Sequence, residues 1–157
     1  PVLGVGFYPA FTSFAGSQHL SADTFKAVLR DLLSTFAAQG ARRFALLNTG
    51  VSTEKPIDEV VAERSDTLAL HMRVMGSAAD ALIDNKDGGH ADERETSVVL
   101  ALDPRSVRLD RLASAGQFER SGATGDPTKA TALKGERLLA ARADDMAAAI
   151  RRRWPDL

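Results

Sequence analysis

Arg43-Phe44-Ala45-Leu46-Leu47-Asn48 reads as a short strand that is almost entirely apolar, and the patterns on either side of it decide the fold. Such a run suggests burial on both faces, as in a parallel sheet. Upstream, Ser21 is a good N-cap and Asp23 sits in the first turn of a helix. Phe25, Val28, Leu29, Leu32, Leu33 and Phe36 share one stripe at helical spacing. Gly40 stands where a C-terminal glycine is expected. Downstream, Thr49 to Lys55 is small and polar, and Pro56 suits the first turn of a helix running to about Arg64. Thr67 to Val74 is the next strand candidate. Alternation of strands with helices predicts an α/β fold, three layers deep, with a mainly parallel sheet covered on both faces. Ligand sites of such sheets lie beyond the C-terminal strand ends, which places Asn48 and its following loop at a candidate position.

The rest of the chain fits around this centre. Val2 to Phe7 reads as a short buried strand, and Tyr8 to His19 as a loop pinned by Phe11 and Phe14. Gly76 to Ile83 suits a short helix, and Asn85 to Gly89 a polar bend. Ala91 to Leu102 reads as a helix ended by Pro104, and Val107 to Gly125 as irregular. Asp126-Pro127 is expected to open the last helix, with Leu139, Ala143, Met146 and Ile150 on its inner face. Arg151, Arg152 and Arg153 close that helix, where positive charge suits its dipole. They read as a solvated helix end rather than a nucleic-acid patch.

The 157 residues suit a single domain with one core. Hydrophobic residues make up 44% and charged residues 26%, the ordinary balance of a soluble globular protein. A net charge of -1 gives no reason to expect nucleic acid or an anionic membrane as partner. The sequence has no cysteine, so disulfides, a thiol nucleophile and thiolate metal ligands are excluded. No apolar run suits a bilayer span and no signal-peptide pattern opens the chain, so the expected compartment is the cytoplasm. The sequence opens at Pro1 rather than Met, which is compatible with a processed product.

One stretch carries chemistry: Gly88-Gly89-His90-Ala91-Asp92-Glu93-Arg94-Glu95-Thr96-Ser97. A double glycine delivers a histidine to the start of a helix, where free N–H groups and partial positive charge favour polar chemistry. His90 and Glu95 are the right residue types for proton transfer. The same residues also suit a purely structural turn, with Glu95 capping the helix. His19 and His71 are the remaining histidines. His71, between Leu70 and Met72, reads as a hydrogen-bonded histidine in a strand. Asp58 and Glu59 read as first-turn acids.

Four segments resemble the creatininase (creatinine amidohydrolase) family. They are Phe14-Ala15-Gly16-Ser17 with Leu20 to Thr24, Gln39 to Phe44 with Leu46-Leu47-Asn48, Gly89-His90-Ala91 with Glu95-Thr96-Ser97, and Gly125-Asp126-Pro127 with Ala130-Thr131 and Lys134-Gly135-Glu136. Their shared order makes the resemblance specific over nearly the whole chain. It implies an α/β/α fold, oligomeric assembly, and amide hydrolysis with two divalent ions such as zinc or manganese. It also implies proton handling by His90 and Glu95, with Asn48, His19 and Gly89 beside the substrate.

The departures bear on that activity. Active members carry an early Glu-x-His and a following Asp as metal ligands in a first βα region, and this sequence starts after that region. The family's Asn-Gly-His motif here reads Asn48-Thr49-Gly50, so glycine falls where imidazole would ligate. Acid–base catalysis alone contributes about 10²–10⁴-fold, and in this family the metals supply the activated water. The expectation is therefore a chain with no metal of its own. It would serve as a binding or assembly subunit, paired with itself or with a full-length paralogue. The alternatives are an enzyme working through His90 and Glu95 in a cofactor-free or partner-completed site, and a fragment of a larger metal-binding protein.

Overall fold

The computed structural model describes residues 2–72, 81–112 and 118–157. The chain divides into two compact units, 1–73 together with 150–157, and 74–149.

The first unit is built on a βαβ element. Helix α1 (Ala22–Ala38) starts where Ser21 accepts a hydrogen bond from the Thr24 N–H. It ends at Gly40, whose φ of +103° needs glycine. There the Gly40 N–H donates to Ala37 and the Ala41 N–H to Phe36, the paired bonds of a Schellman motif. Strand β1 (Phe44–Asn48) follows, then α2 (Glu54–Ala62) with Pro56 in its first turn, then β2 (Thr67–His71). The two strands pair in parallel, Phe44 opposite Thr67 and Asn48 opposite His71. Helix α2 packs on β2, and α1 on α2. Leu33, Ile57, Val60 and Leu70 are buried. The α1–α2 contact is also laced by charge. Lys26 reaches Glu59 at 2.8 Å, and Arg30 grips Glu63 with two nitrogens at 2.7 and 2.8 Å. At the end of the chain Arg43 pairs with Asp156, and Arg153 donates to the Ser65 carbonyl, so the last arginine of the basic run has a structural task.

Three expectations for this unit change. Val2–Phe7 is not a strand; it offers a single bridge between Gly6 and His19. Two glycines weaken the segment, and Val2 and Leu3 stand exposed with nothing apolar to cover them. Strand β1 is not buried on both faces, since Ala45 and Leu47 point outward and Leu47 is 55% exposed. The α1 stripe is also only partly covered, because Leu32 and Phe36 are exposed. Strand β2 ends at His71. Arg73 and Val74, and most of the helix expected over Gly76–Ile83, lie outside the described residues.

The second unit holds helix α3 (Glu93–Leu102), the short α4 (Phe118–Ser121) and most of α5 (Ala132–Arg153). Single 3-10 turns occupy Pro104–Ser106, Leu109–Arg111 and Pro127–Lys129. Ile83 and Leu138 form its core, with Leu82, Val98 and Ala141 packed against them. Asp126-Pro127 does not open the last helix. The Asp126 side chain accepts from the Thr128 N–H and closes a 3-10 turn instead, and α5 begins at Ala132. Nor do Leu139 and Ala143 define its inner face; Gly135, Leu138 and Arg142 are the buried positions. The cause is a close helix crossing. A Cβ on Gly135 would lie 2.0 Å from the Ser97 carbonyl oxygen, so only glycine permits the approach that turns this stripe inward.

Gly135→Ala is accordingly expected to destabilise by about 2–3 kcal/mol despite alanine's better helix propensity. Gly89→Ala, whose added carbon would meet Thr124 Oγ1 at an ordinary 3.9 Å, is expected to cost less than about 0.5 kcal/mol. Urea unfolding of the two variants measures the contrast; equal losses would contradict the crossing as described.

Candidate functional site

The resemblance-bearing residues fall in both units. In the first unit, Asn48 is buried at the end of β1. Its Nδ2 donates to the Gly50 carbonyl at 2.8 Å and faces His71 Nδ1 at 3.0 Å. Its Oδ1 accepts from the Gly50 N–H and, at 2.6 Å, from the Thr53 hydroxyl. Both donors and the oxygen's acceptor sites are thus employed, and Asn48 organises the 48–53 turn. An amide donating to Nδ1 leaves the His71 proton on Nε2, which meets Asp58 Oδ1 at 2.7 Å. The resulting line Asn48–His71–Asp58 ties both strands to α2. Asp58 and Glu59 lie beyond the first turn of α2, because the helix starts at Glu54, and each pairs with a cation or histidine of a neighbouring element. The His71–Asp58 pair is missed by sequence reasoning, since partners separated by 13 residues meet only when helix and strand pack.

His19 lies in the loop before α1. Its Nδ1 accepts from the Tyr8 N–H at 3.2 Å, and its ring packs against Phe7, centroids 5.5 Å apart.

In the second unit, the structure brings His90 and Glu95 together. Nδ1 of the one stands 3.7 Å from Oε2 of the other, and both side chains are nearly half exposed. That distance allows an ion pair but exceeds a hydrogen bond. Glu95 has a second task. Asp92 is the N-cap of α3, accepting from the Glu95 N–H at 3.0 Å, and Glu95 Oε2 reaches back to the Ala91 N–H at 2.6 Å. This is a variant of the capping box in which the glutamate reaches the residue before the N-cap, so the structural and chemical readings of Glu95 coexist in one geometry. The loop is held from the other side by Thr124, whose hydroxyl oxygen accepts from the N–H groups of Gly89 and His90 at 2.7 and 2.8 Å. The Gly89 N–H is therefore engaged within the loop. The glycine that sterics demand is Gly88, where a Cβ would sit 2.4 Å from that of Asp92.

Two further features escaped the sequence. Ala91 has a φ of +46°, a left-handed conformation that costs a non-glycine residue about 1–3 kcal/mol. It persists because Glu95 holds its N–H and the Thr96 hydroxyl donates to its carbonyl. Glu93 is fully buried and accepts from the N–H groups of Asp84 and Asn85 and from Lys134 Nζ. In sequence it looks like any first-turn acid. Lys134 also bonds Asp84 at 2.7 Å, which holds the Asp84 carboxyl below its ordinary 3.8 and raises the lysine above 10.5.

Beside Glu95 opens a cavity of about 360 Å³, bounded by the start of α3 and by the segment 106–112. Its volume sits at the small end of the range for small-molecule sites.

Among the described residues, no three His, Asp or Glu side chains gather closely enough to hold an ion. Asp92 is turned into the helix cap, and Gly50 offers no side chain at the strand end.

Two outcomes follow from this geometry. Ala91→Gly relieves left-handed strain, so it is expected to raise stability by up to about 1 kcal/mol while loosening the His90 loop. Denaturation and amide exchange of residues 88–91 check it, and a destabilised variant would contradict the strain. The second outcome concerns pH. Asp84 titrates lower in the fold, so its contribution is complete above 3.8 and lost as pH falls through its folded value. Lys134 titrates higher, so its contribution holds below 10.5 and is lost at more alkaline pH. Melting temperature followed from pH 5 down to pH 2 is expected to fall less steeply in Lys134→Met than in the native chain.

A mycofactocin precursor peptide peptidase of Mycobacterium ulcerans is 27% identical over 172 aligned positions, covering 99% of this chain and 66% of that protein. The chain thus spans just under two thirds of that relative. A creatininase variant of zinc–zinc type superposes with a TM-score of 0.76 at 26% identity, over 91% of this chain and 68% of the other. A manganese creatininase gives 0.78 at 24% identity over the same shares. These neighbours bear out the α/β, creatininase-like fold. Residues 1–150 match the family described as creatininase, creatinine amidohydrolase, and the chain belongs to that family.

Proposed function

We propose that this chain is an amide- or peptide-binding subunit of the creatininase family that does not hydrolyse amides unaided. The observation carrying the reading is the His90–Glu95 pair, whose glutamate lines a small cavity, in a chain whose described donors do not assemble a metal centre. Those two residues supply a proton donor and acceptor. Proton transfer alone contributes about 10²–10⁴-fold, far less than amide hydrolysis requires. Binding is the chemistry that remains. Outward-facing Leu47 and Phe36 support assembly with a second chain, a copy or a full-length paralogue, because exposed apolar surface of this kind favours being covered. Assembly with a paralogue also gives the second reading its physical basis: a partner that brings metal ligands would complete the site around His90 and Glu95.

The test is elemental analysis of the purified chain after incubation with zinc and manganese, paired with a peptide-hydrolysis assay and light scattering. Less than one ion per chain, no turnover above blank, and a mass above the monomer are expected. Two ions per chain with turnover abolished by chelator would overturn the proposal. Turnover that survives chelation but is lost in His90→Ala would favour metal-free acid–base catalysis.

A further inference from the structure

The cavity beside Glu95 has a charge pattern that the family's amide chemistry does not require. Its polar lining includes Arg108 and Arg111 in addition to Glu95, with the apolar Val107 and Leu112 flanking the two arginines in sequence. Among the described lining residues, two guanidiniums stand against one carboxylate. That carboxylate is already engaged by the Ala91 N–H and faces His90. Arg111 pairs with Asp110 at 3.7 Å, and both of those side chains are mostly exposed, so water weakens the pair. Surplus positive charge along an open wall favours an anion, and a guanidinium presents a flat fork of N–H donors that matches a carboxylate.

We infer that the cavity takes a ligand with a free carboxylate, seated on Arg108 and Arg111, with an amide bond directed toward Glu95 and His90. The inference rests on the binding reading above and deepens it to a ligand class: a short peptide with an unblocked C-terminus, or a small amide bearing a carboxylate. A volume of about 360 Å³ suits a ligand of dipeptide size. Ser106 and Ser121 also line the cavity, the first donating its hydroxyl to Asp103 and the second accepting from the Ala123 N–H.

The experiment uses the full chain and two probes, N-acetyl-dialanine with a free carboxylate and the same compound as its C-terminal amide. Affinity is measured by calorimetry and the site by amide NMR shifts. The acid is expected to bind about tenfold more tightly than the amide, and the Arg108→Gln/Arg111→Gln double variant to bring the acid down to the level of the amide. Ala91, Glu95 and Thr96 resonances are expected to move with either probe. Equal affinities in the native chain, or a preference for the acid that survives the double substitution, would overturn the carboxylate assignment while the shifts at Ala91, Glu95 and Thr96 still upheld the site. Binding that leaves those three resonances unmoved, or no binding of either probe, would overturn the site reading and the assignment with it.

Discussion

A carboxylate sealed from solvent must find donors, and the order of the second unit depends on how Glu93 finds them. Two consecutive backbone N–H groups, of Asp84 and Asn85, and the ammonium of Lys134 converge on it. A buried charge left without partners costs several kcal/mol, so these three bonds are obligatory rather than optional. They fix the loop entering at Asp84 to both α3 and α5. The segment that follows, with Gly88 packed on Asp92 and Glu95 lining the cavity, starts from that anchor.

The local signals in the sequence were mostly legible, and the tertiary ones were not. Ser21 and Gly40 bound α1 as their chemistry dictates, because a cap is satisfied within a few residues of itself. The apolar run before Asn48 is a parallel strand, although its partner covers less of it than a fully buried run implies. Asp126-Pro127 misled for a physical reason. The same Asp-Pro pair that opens an α-helix also closes a single 3-10 turn, and what decides between them is the Thr131 N–H, which bonds Ser97 on another helix. Gly135 carried the same kind of hidden information: its role is visible only once Ser97 is placed above it.

The site divides along the same line. His90 and Glu95 were readable as a pair because five residues across a helix start is a local distance, and the structure sets them 3.7 Å apart. Thr124 and the Asp58–His71 bond were not, because each joins segments remote in sequence. Asn48 sits at the strand end, as an α/β sheet requires, yet its amide is spent on Gly50, Thr53 and His71. Ligand chemistry at that end of β1 therefore depends on displacing bonds already made.

The crossing at Gly135 has a mechanical side. Where only a hydrogen atom separates one helix from the carbonyl of another, there is neither void nor soft side chain to take up slack. Helices α3 and α5 are coupled there like two parts of a rigid joint. A side chain larger than hydrogen at 135 would have to open that joint before it could be accommodated.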